Sequence, residues 1–139
     1  MSITTALKAR REQLTDREAG FTLIELLVVV IIIGILAAIA IPVYIGVQNS
    51  AKDASAQSDL TNIKTAEVAY FSANNVYTTD ITPATGLGKY GYTASGTGAN
   101  APSVKTPTTT SFCASVLSGS GTTFRITDTS ANATSGAAC

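Results

Sequence analysis

An uninterrupted apolar segment near the N-terminus constrains this chain more than any other feature. From Leu26 to Val47 nearly all of the twenty-two residues are apolar, and no charged residue follows until Lys52. An α-helix rises about 1.5 Å per residue, so a helix of this length crosses a hydrocarbon layer of roughly 30 Å. A helix also satisfies its own backbone polar groups, which lipid cannot do. The segment therefore predicts a membrane-spanning helix.

The charges around this segment predict its orientation. Basic side chains cluster only before it, and such clusters remain on the cytoplasmic side of a membrane. They are Lys8, Arg10, Arg11 and Arg17. The chain beyond the segment then lies outside the cytoplasm, in a compartment where disulfides form and persist. Both cysteines, Cys113 and Cys139, belong to that part. We therefore predict a bridge between them that closes a 27-residue loop.

The segment that follows predicts a continuation of the same helix. Residues 50–74 contain no Gly or Pro and are rich in helix formers. A largely apolar stripe recurs there at helical spacing, and Val68 and Phe71 widen it. Its members are Ala56, Leu60, Ile63, Glu67, Tyr70 and Ala73. We predict one helix from Phe21 to about Asn74, apolar all round in its first half and striped in its second. Asn74 and Asn75 form the predicted stop.

Beyond residue 74 the sequence predicts a small antiparallel sheet, in short alternating segments punctuated by Gly and Pro. The predicted strands are Lys89–Thr93 with Tyr90 and Tyr92 on one face, a strand carrying Phe112, Ala114 and Val116 on one face, and a strand with Phe124 and Ile126 opposite Arg125. So few residues form too small a core alone, and the sheet should pack on the helix stripe. The predicted fold class is α+β: a long N-terminal α-helix with a small antiparallel β-sheet head.

Composition argues against several classes of function. The chain has no His and only two Cys, which rules out a His-rich metal site and the Ser-His-Asp and Cys-His relays. Nine basic side chains balance nine acidic ones, so nucleic acid is not indicated as a partner. No glycine-rich phosphate loop or acidic cluster assembles a catalytic group. We predict a protein that is not an enzyme, with no catalytic residue, no metal site and no cofactor.

A single carboxylate stands at the start of the apolar segment. Glu25 is the only charged residue between Phe21 and Ala51, and an acidic side chain at the edge of a membrane span is unfavourable. Taken alone, Glu25 is explained by its position, because the macrodipole of a helix favours an acidic residue near the N-terminus. The residues around it add a second interpretation.

Those residues resemble the processing site and helix start of type IV pilin precursors, of the type IVa-like class. The resemblance rests on REAGFTLIELLVV at residues 17–29 and continues through GILAAIAIP at residues 34–42 and Tyr44. Residues 1–20 would be the leader peptide. That leader is longer than those usual in the class and more like the leaders of some Gram-positive systems. The C-terminal half carries no motif of the family beyond its two cysteines.

The resemblance implies specific roles for a few residues. Prepilin peptidase would cut between Gly20 and Phe21 and methylate the new Phe21 amine. Glu25 would support assembly by pairing with the Phe21 amine of a neighbouring subunit. Residues 21–49 would span the membrane and then form the filament core, with Gly34 and Pro42 as points where the helix kinks or loosens. Residues 50–74 would be the amphipathic helix half of the head, and residues 75–139 its sheet with the disulfide-bounded C-terminal region.

The implied function is structural: a major pilin that polymerises into a type IV pilus. The implied partners are further copies of the chain, the peptidase, the assembly platform with its ATPase, and the membrane. The protein would be a single-pass membrane protein before assembly and part of an extracellular pilus afterwards. Adhesion and twitching motility are roles that such a filament carries.

Two alternatives share parts of this pattern. A pseudopilin of a type II secretion system, or a minor pilin, has the same N-terminal residues, although the region after Asn74 has only Asp80 and Asp128 as the acids that a calcium site needs. A secretory signal peptide would instead be cut after Ala38-Ile39-Ala40. Against this second alternative, the N-terminal region is long and contains acids, and Glu25 lies beside the apolar segment.

Overall fold

A computed structural model describes residues 20–96, 98–105 and 108–139. The predicted leader, residues 1–20, lies outside the described residues except for Gly20. The elements in chain order are helix α1 (Leu23–Asn74), two 3₁₀ helices (Leu87–Tyr90 and Gly98–Asn100), and strands β1 (Ser103–Lys105), β2 (Cys113–Leu117), β3 (Thr123–Thr127) and β4 (Thr134–Ser135). The predicted α+β fold, a long N-terminal helix and a small antiparallel sheet, is confirmed.

The chain divides after Val43 into two compact units. In the N-terminal unit the helix exposes apolar side chains all round: each Leu, Ile and Val from Leu23 to Val43 is at least 46% exposed. Within the described part of the chain, α1 is the one helix long and apolar enough to cross a membrane. So much exposed apolar surface is stable only in lipid or against other apolar helices.

Helix α1 is continuous through Gly34 and Pro42 and ends where the sequence predicts. Proline has no N–H, so the carbonyl of Ala38 lacks its helical donor at that turn. At the C-terminal end, Asn75 adopts a left-handed conformation with φ of 58° and donates its N–H to the carbonyl of Phe71 at 2.8 Å. Asn tolerates this conformation better than most residues, which explains the stop.

The C-terminal unit, Tyr44–Cys139, contains the sheet, whose strands pair antiparallel in the order β1-β2-β3-β4. Ala114 lies opposite Ile126 and Val116 opposite Phe124. All four side chains are buried, whereas Arg125 between them is exposed. The predicted faces of β2 and β3 are therefore confirmed. Strands β1 and β4 have only three and two residues, too few for an alternating pattern to predict them.

The core of this unit lies between the helix stripe and the sheet. From the helix it contains Ala56, Leu60, Ile63 and Ala66; from the rest it contains Leu87, Tyr92, Val104, Phe112, Ala114, Val116, Phe124 and Ile126. The stripe is narrower than predicted, because Val68 is 49% exposed and Ala73 is exposed as well. Val68 lies about 100° around the helix from the buried Glu67, which turns it away from the small sheet.

The strand predicted at Lys89–Thr93 is wrong. The chain forms a 3₁₀ helix over Leu87–Tyr90, which Gly91 closes in a left-handed conformation with φ of 88°. Two bonds complete the turn: the N–H of Gly91 to the carbonyl of Gly88, and the N–H of Tyr92 to that of Leu87. Tyr90 and Tyr92 alternate as in a strand, but Gly91 between them adopts a left-handed conformation that ends the 3₁₀ helix. Tyr92 is buried, and the Tyr90 ring packs edge-on against Tyr70 with centroids 5.5 Å apart.

The two cysteines form a disulfide that joins β2 to the C-terminal residue. The Cα atoms of Cys113 and Cys139 are 5.8 Å apart, which is an ordinary separation for a bridge. Between them lie β3, β4 and the turn that connects these two strands.

Glu67 is a carboxylate buried in this unit. It is 0% exposed; its Oε2 accepts a hydrogen bond from the backbone N–H of Thr78 at 3.2 Å, and its Oε1 has no partner among the residues described. Burial raises the pKa of Glu67 to about 7, and the hydrogen bond from Thr78 offsets only part of that rise. The carboxyl group is therefore protonated in the folded protein under mildly acidic conditions.

We expect stability to fall as the pH rises through neutrality. The pKa of Glu67 is near its ordinary value of 4.5 in the unfolded chain and about 7 when folded, so between these values the folded state alone keeps the proton. The free energy of unfolding should drop by about 3 kcal/mol from pH 4.5 to pH 8. Urea unfolding at several pH values measures it. Glu67→Gln should flatten the profile, and an equal drop in this variant would contradict the assignment.

Candidate processing and assembly site

The start of helix α1 is closed by reciprocal hydrogen bonds between Thr22 and Glu25. The N–H and the hydroxyl of Thr22 each donate to Oε2 of Glu25 at 2.8 Å, and the N–H of Glu25 donates to Oγ1 of Thr22 at 3.3 Å. This arrangement is a capping box, in which two otherwise unbonded N–H groups of a helix start are satisfied. It explains why the helix begins at Leu23 and not at the predicted Phe21.

Thr22 is a residue that the sequence analysis missed. The signal was present, because a threonine followed three residues later by a glutamate, directly before an apolar run, is the pattern of a capping box. The macrodipole interpretation of Glu25 captured the helix start but not the residue that holds the carboxylate. Glu25 thus has a structural task in the chain itself, in addition to any role in assembly.

The bond predicted to be cut lies outside the helix. Gly20 and Phe21 precede the first helical residue, and the Phe21 side chain is 86% exposed. A Cβ atom placed on Gly20 would meet none of the described residues within 4 Å. The part of the fold that the structure describes therefore gives no reason for glycine at this position.

The surroundings of Glu25 are apolar and exposed. Phe21, Ile24, Leu26, Val28 and Val29 line the surface next to it, and all of them are exposed. When this surface enters lipid or a helical bundle, the carboxylate loses water and needs a cationic partner or a proton. A free amine at Phe21, four residues away, is the chemical group that cleavage would supply.

Gly34 and Pro42 lie within helix α1, where the described residues give no contact that explains the glycine. A Cβ on Gly34 would also meet nothing within 4 Å, and the helix does not break at either residue. The predicted kinking or loosening at these positions remains a prediction. Among residues 20–96, 98–105 and 108–139, no group of three or more His, Cys, Asp or Glu side chains could hold a metal ion.

Comparison with known families identifies the N-terminal segment. Residues 15–41 match the model of the prokaryotic N-terminal methylation motif. The match covers the predicted cleavage bond, the capping box, Gly34 and most of the exposed apolar helix, and it ends one residue before Pro42.

Individual relatives fall into two groups. The chain is 47% identical over 68 residues to the type IV major pilin of Myxococcus xanthus, covering 49% of this chain and 31% of the relative. It is 38% identical over 65 residues to the type IV narrow pilus major component of Thermus thermophilus, covering 46% of this chain and 56% of the relative. It is equally 38% identical over 65 residues to the type II secretion system core protein G of Escherichia coli, covering 47% and 45%. The chain thus spans between about a third and just over half of the relatives' lengths.

Proposed function

We propose that this protein is the precursor of a major pilin, the structural subunit of a type IV pilus. The observation that carries the proposal is the N-terminal methylation motif at residues 15–41, continuous with a helix whose apolar side chains are exposed on every side. The apolar side chains of such a helix need lipid around them while the subunit is a monomer in the membrane, and other helices around them in a filament. The function is structural, and no step of it calls for catalysis by this chain.

Processing and assembly follow from the N-terminal geometry. Prepilin peptidase cuts the exposed bond between Gly20 and Phe21 and methylates the Phe21 amine. The cut leaves Thr22 and Glu25 in the mature chain, so the capping box can persist. The Glu25 carboxylate then pairs with the Phe21 amine of a neighbouring subunit. The helix leaves the membrane and becomes part of the filament core. Further partners are the assembly platform and its ATPase, and the final location is a pilus on the cell surface.

A second candidate function is that of a pseudopilin in a type II secretion system, which the 38% identity to core protein G supports. Two features of the C-terminal unit favour a pilin over it. Only Asp80 and Asp128 follow Asn74 as acids, and Asp80 is occupied by hydrogen bonds from Thr82 and Thr85. These bonds, chiefly those from Thr82, hold the pKa of Asp80 below its ordinary value. The second feature is the Cys113–Cys139 disulfide, which restrains this region covalently.

Coexpression with a prepilin peptidase tests the first step. We expect the mature chain to begin with methylated Phe21, and Gly20→Val to abolish cleavage because a side chain at this position would obstruct the peptidase. Gly34→Val is the matched control, since neither glycine has a neighbour within 4 Å, and it should be cut normally. Mass spectrometry of the N-terminus measures both. A mature chain beginning at Ile41, or one retaining Met1, would contradict the proposal.

A further inference from the structure

The ammonium group of Lys64 is surrounded by backbone carbonyls from a distant part of the chain. Its Nζ donates to the carbonyl oxygens of Thr127 at 3.2 Å, Asp128 at 3.0 Å, and Ser130. All three oxygens lie just after or at the end of β3, more than sixty residues from Lys64. An ammonium group has three N–H donors, and here each has an acceptor.

The three carbonyls, which we name the carbonyl cradle, are held in place by bonds of their own turn. The N–H of Ser130 donates to the carbonyl and to the hydroxyl oxygen of Thr127, at 3.3 and 3.2 Å. The hydroxyls of Thr127 and Ser130 are 2.7 Å apart. The N–H of Asp128 donates to the carbonyl of Phe112 at 3.4 Å, which fixes the turn against the segment before β2. The turn that carries the cradle is therefore also held by bonds in which Lys64 takes no part.

Carbonyl oxygens that converge on one point favour a cation, because they replace the oxygens of its hydration shell. We propose that the carbonyl cradle is a cation-binding site whose ligand class is a primary ammonium ion, and that the Lys64 side chain is its resident ligand. Lys64 thereby fastens the beginning of the C-terminal segment, Asp128–Cys139, to helix α1. This site is independent of the pilus function proposed above.

The first test is the chemical reactivity of the amine in the full-length protein in detergent. Acylation requires an accessible amine, and the Lys64 amine must first leave its three carbonyl acceptors, a step that a hydrogen bond to a charged group makes roughly 10- to 100-fold less favourable. We expect an amine-reactive ester to modify Lys64 roughly tenfold or more slowly than Lys52, an exposed lysine on the same helix. Peptide mass spectrometry reads both rates. Equal rates would overturn the proposal.

The second test empties the cradle and offers it a substitute. Lys64→Ala should raise amide hydrogen exchange in residues 128–139 by roughly 10- to 100-fold, whereas Lys52→Ala should not. Methylammonium ions should restore protection in Lys64→Ala, and tetramethylammonium, which has no N–H donor, should not do so at equal ionic strength. Unchanged exchange, or equal effects of the two ions, would overturn the proposal. If Lys64→Ala does not fold, the reactivity ratio in the unmutated protein decides alone.

Discussion

Glu25→Gln is expected to leave the protein folded and processed but unable to form filaments. Glutamine has the shape of glutamate and can still accept the hydrogen bond from the Thr22 N–H, which is 2.8 Å from Oε2 of Glu25. It cannot neutralise a Phe21 amine that becomes buried among helices. Removing one partner of a buried ion pair costs about 3–5 kcal/mol, which corresponds to a loss of at least roughly 100-fold in subunit affinity. Because every subunit of the proposed filament would repeat this contact, the fibre yield should fall below detection.

Thr22→Val separates the charge of Glu25 from its capping role. This variant removes the hydroxyl that donates to Glu25 and accepts from its N–H, at a cost of about 1 kcal/mol in helix stability, but it keeps the carboxylate. We expect fibres from Thr22→Val and none from Glu25→Gln. Fibres sheared from cells, compared with processed subunit remaining in membranes, measure the outcome. Normal yield from Glu25→Gln, or an equal loss in both variants, would show that charge pairing does not drive assembly.

The sequence predicts the main helix and the two longest strands well, because local sequence patterns determine them. The apolar run, the stripe on the helix and the stop at Asn74 all depend on residues near one another in the chain. The alternation in β2 and β3 belongs to the same class of signal. The helix, its stop and the buried faces of β2 and β3 were confirmed, although the stripe on the helix is narrower than predicted.

The failures have physical causes that a pattern of residue types does not contain. The tyrosines around Gly91 alternate as in a strand, but the conformation of that glycine turns the chain into a 3₁₀ helix. Val68 extends the apolar pattern, yet the sheet is too small to cover it. Lys64 looks like a solvated helix residue until the fold brings the turn after β3 to its ammonium group. Likewise Asp59 is buried because Ser95, thirty-six residues later, donates to its carboxylate.

At the candidate site, the residue types predict processing and assembly, whereas the hydrogen bonds between Thr22 and Glu25 reveal the capping box. Gly20, Phe21 and Glu25 could be predicted as site residues because the motif is contiguous in the sequence. The role of Thr22 needed the hydrogen bonds to be seen. The roles of Gly34 and Pro42 cannot be derived from one chain, because the surfaces that would contact them belong to other molecules.

Removing the Cys113–Cys139 disulfide is expected to cause the largest loss of stability in the C-terminal unit. In the chain-entropy estimate, a bridge across 26 positions stabilises the folded state by about 3.5 kcal/mol. Other contacts of the C-terminal segment are few: β4 has two residues, and the N–H of Gly136 donates to the carbonyl of Thr123 at 3.1 Å. Urea unfolding of the Cys113→Ser/Cys139→Ser variant in detergent measures the loss.

The loss of stability should also be confined to the C-terminal segment. A confined loss would show that the disulfide fastens this segment and does not stabilise the core as a whole. Strands β2 and β3 share five paired positions, with Ala114, Val116, Phe124 and Ile126 packed on the helix stripe, and they do not need the bridge to remain together. Residues 128–139 should therefore become sensitive to protease before β2 or β3 does. Reducing the unmutated protein should reproduce this pattern, and adding reductant to the double serine variant should change nothing further. If the segment stays resistant in both cases, the disulfide is not its principal anchor.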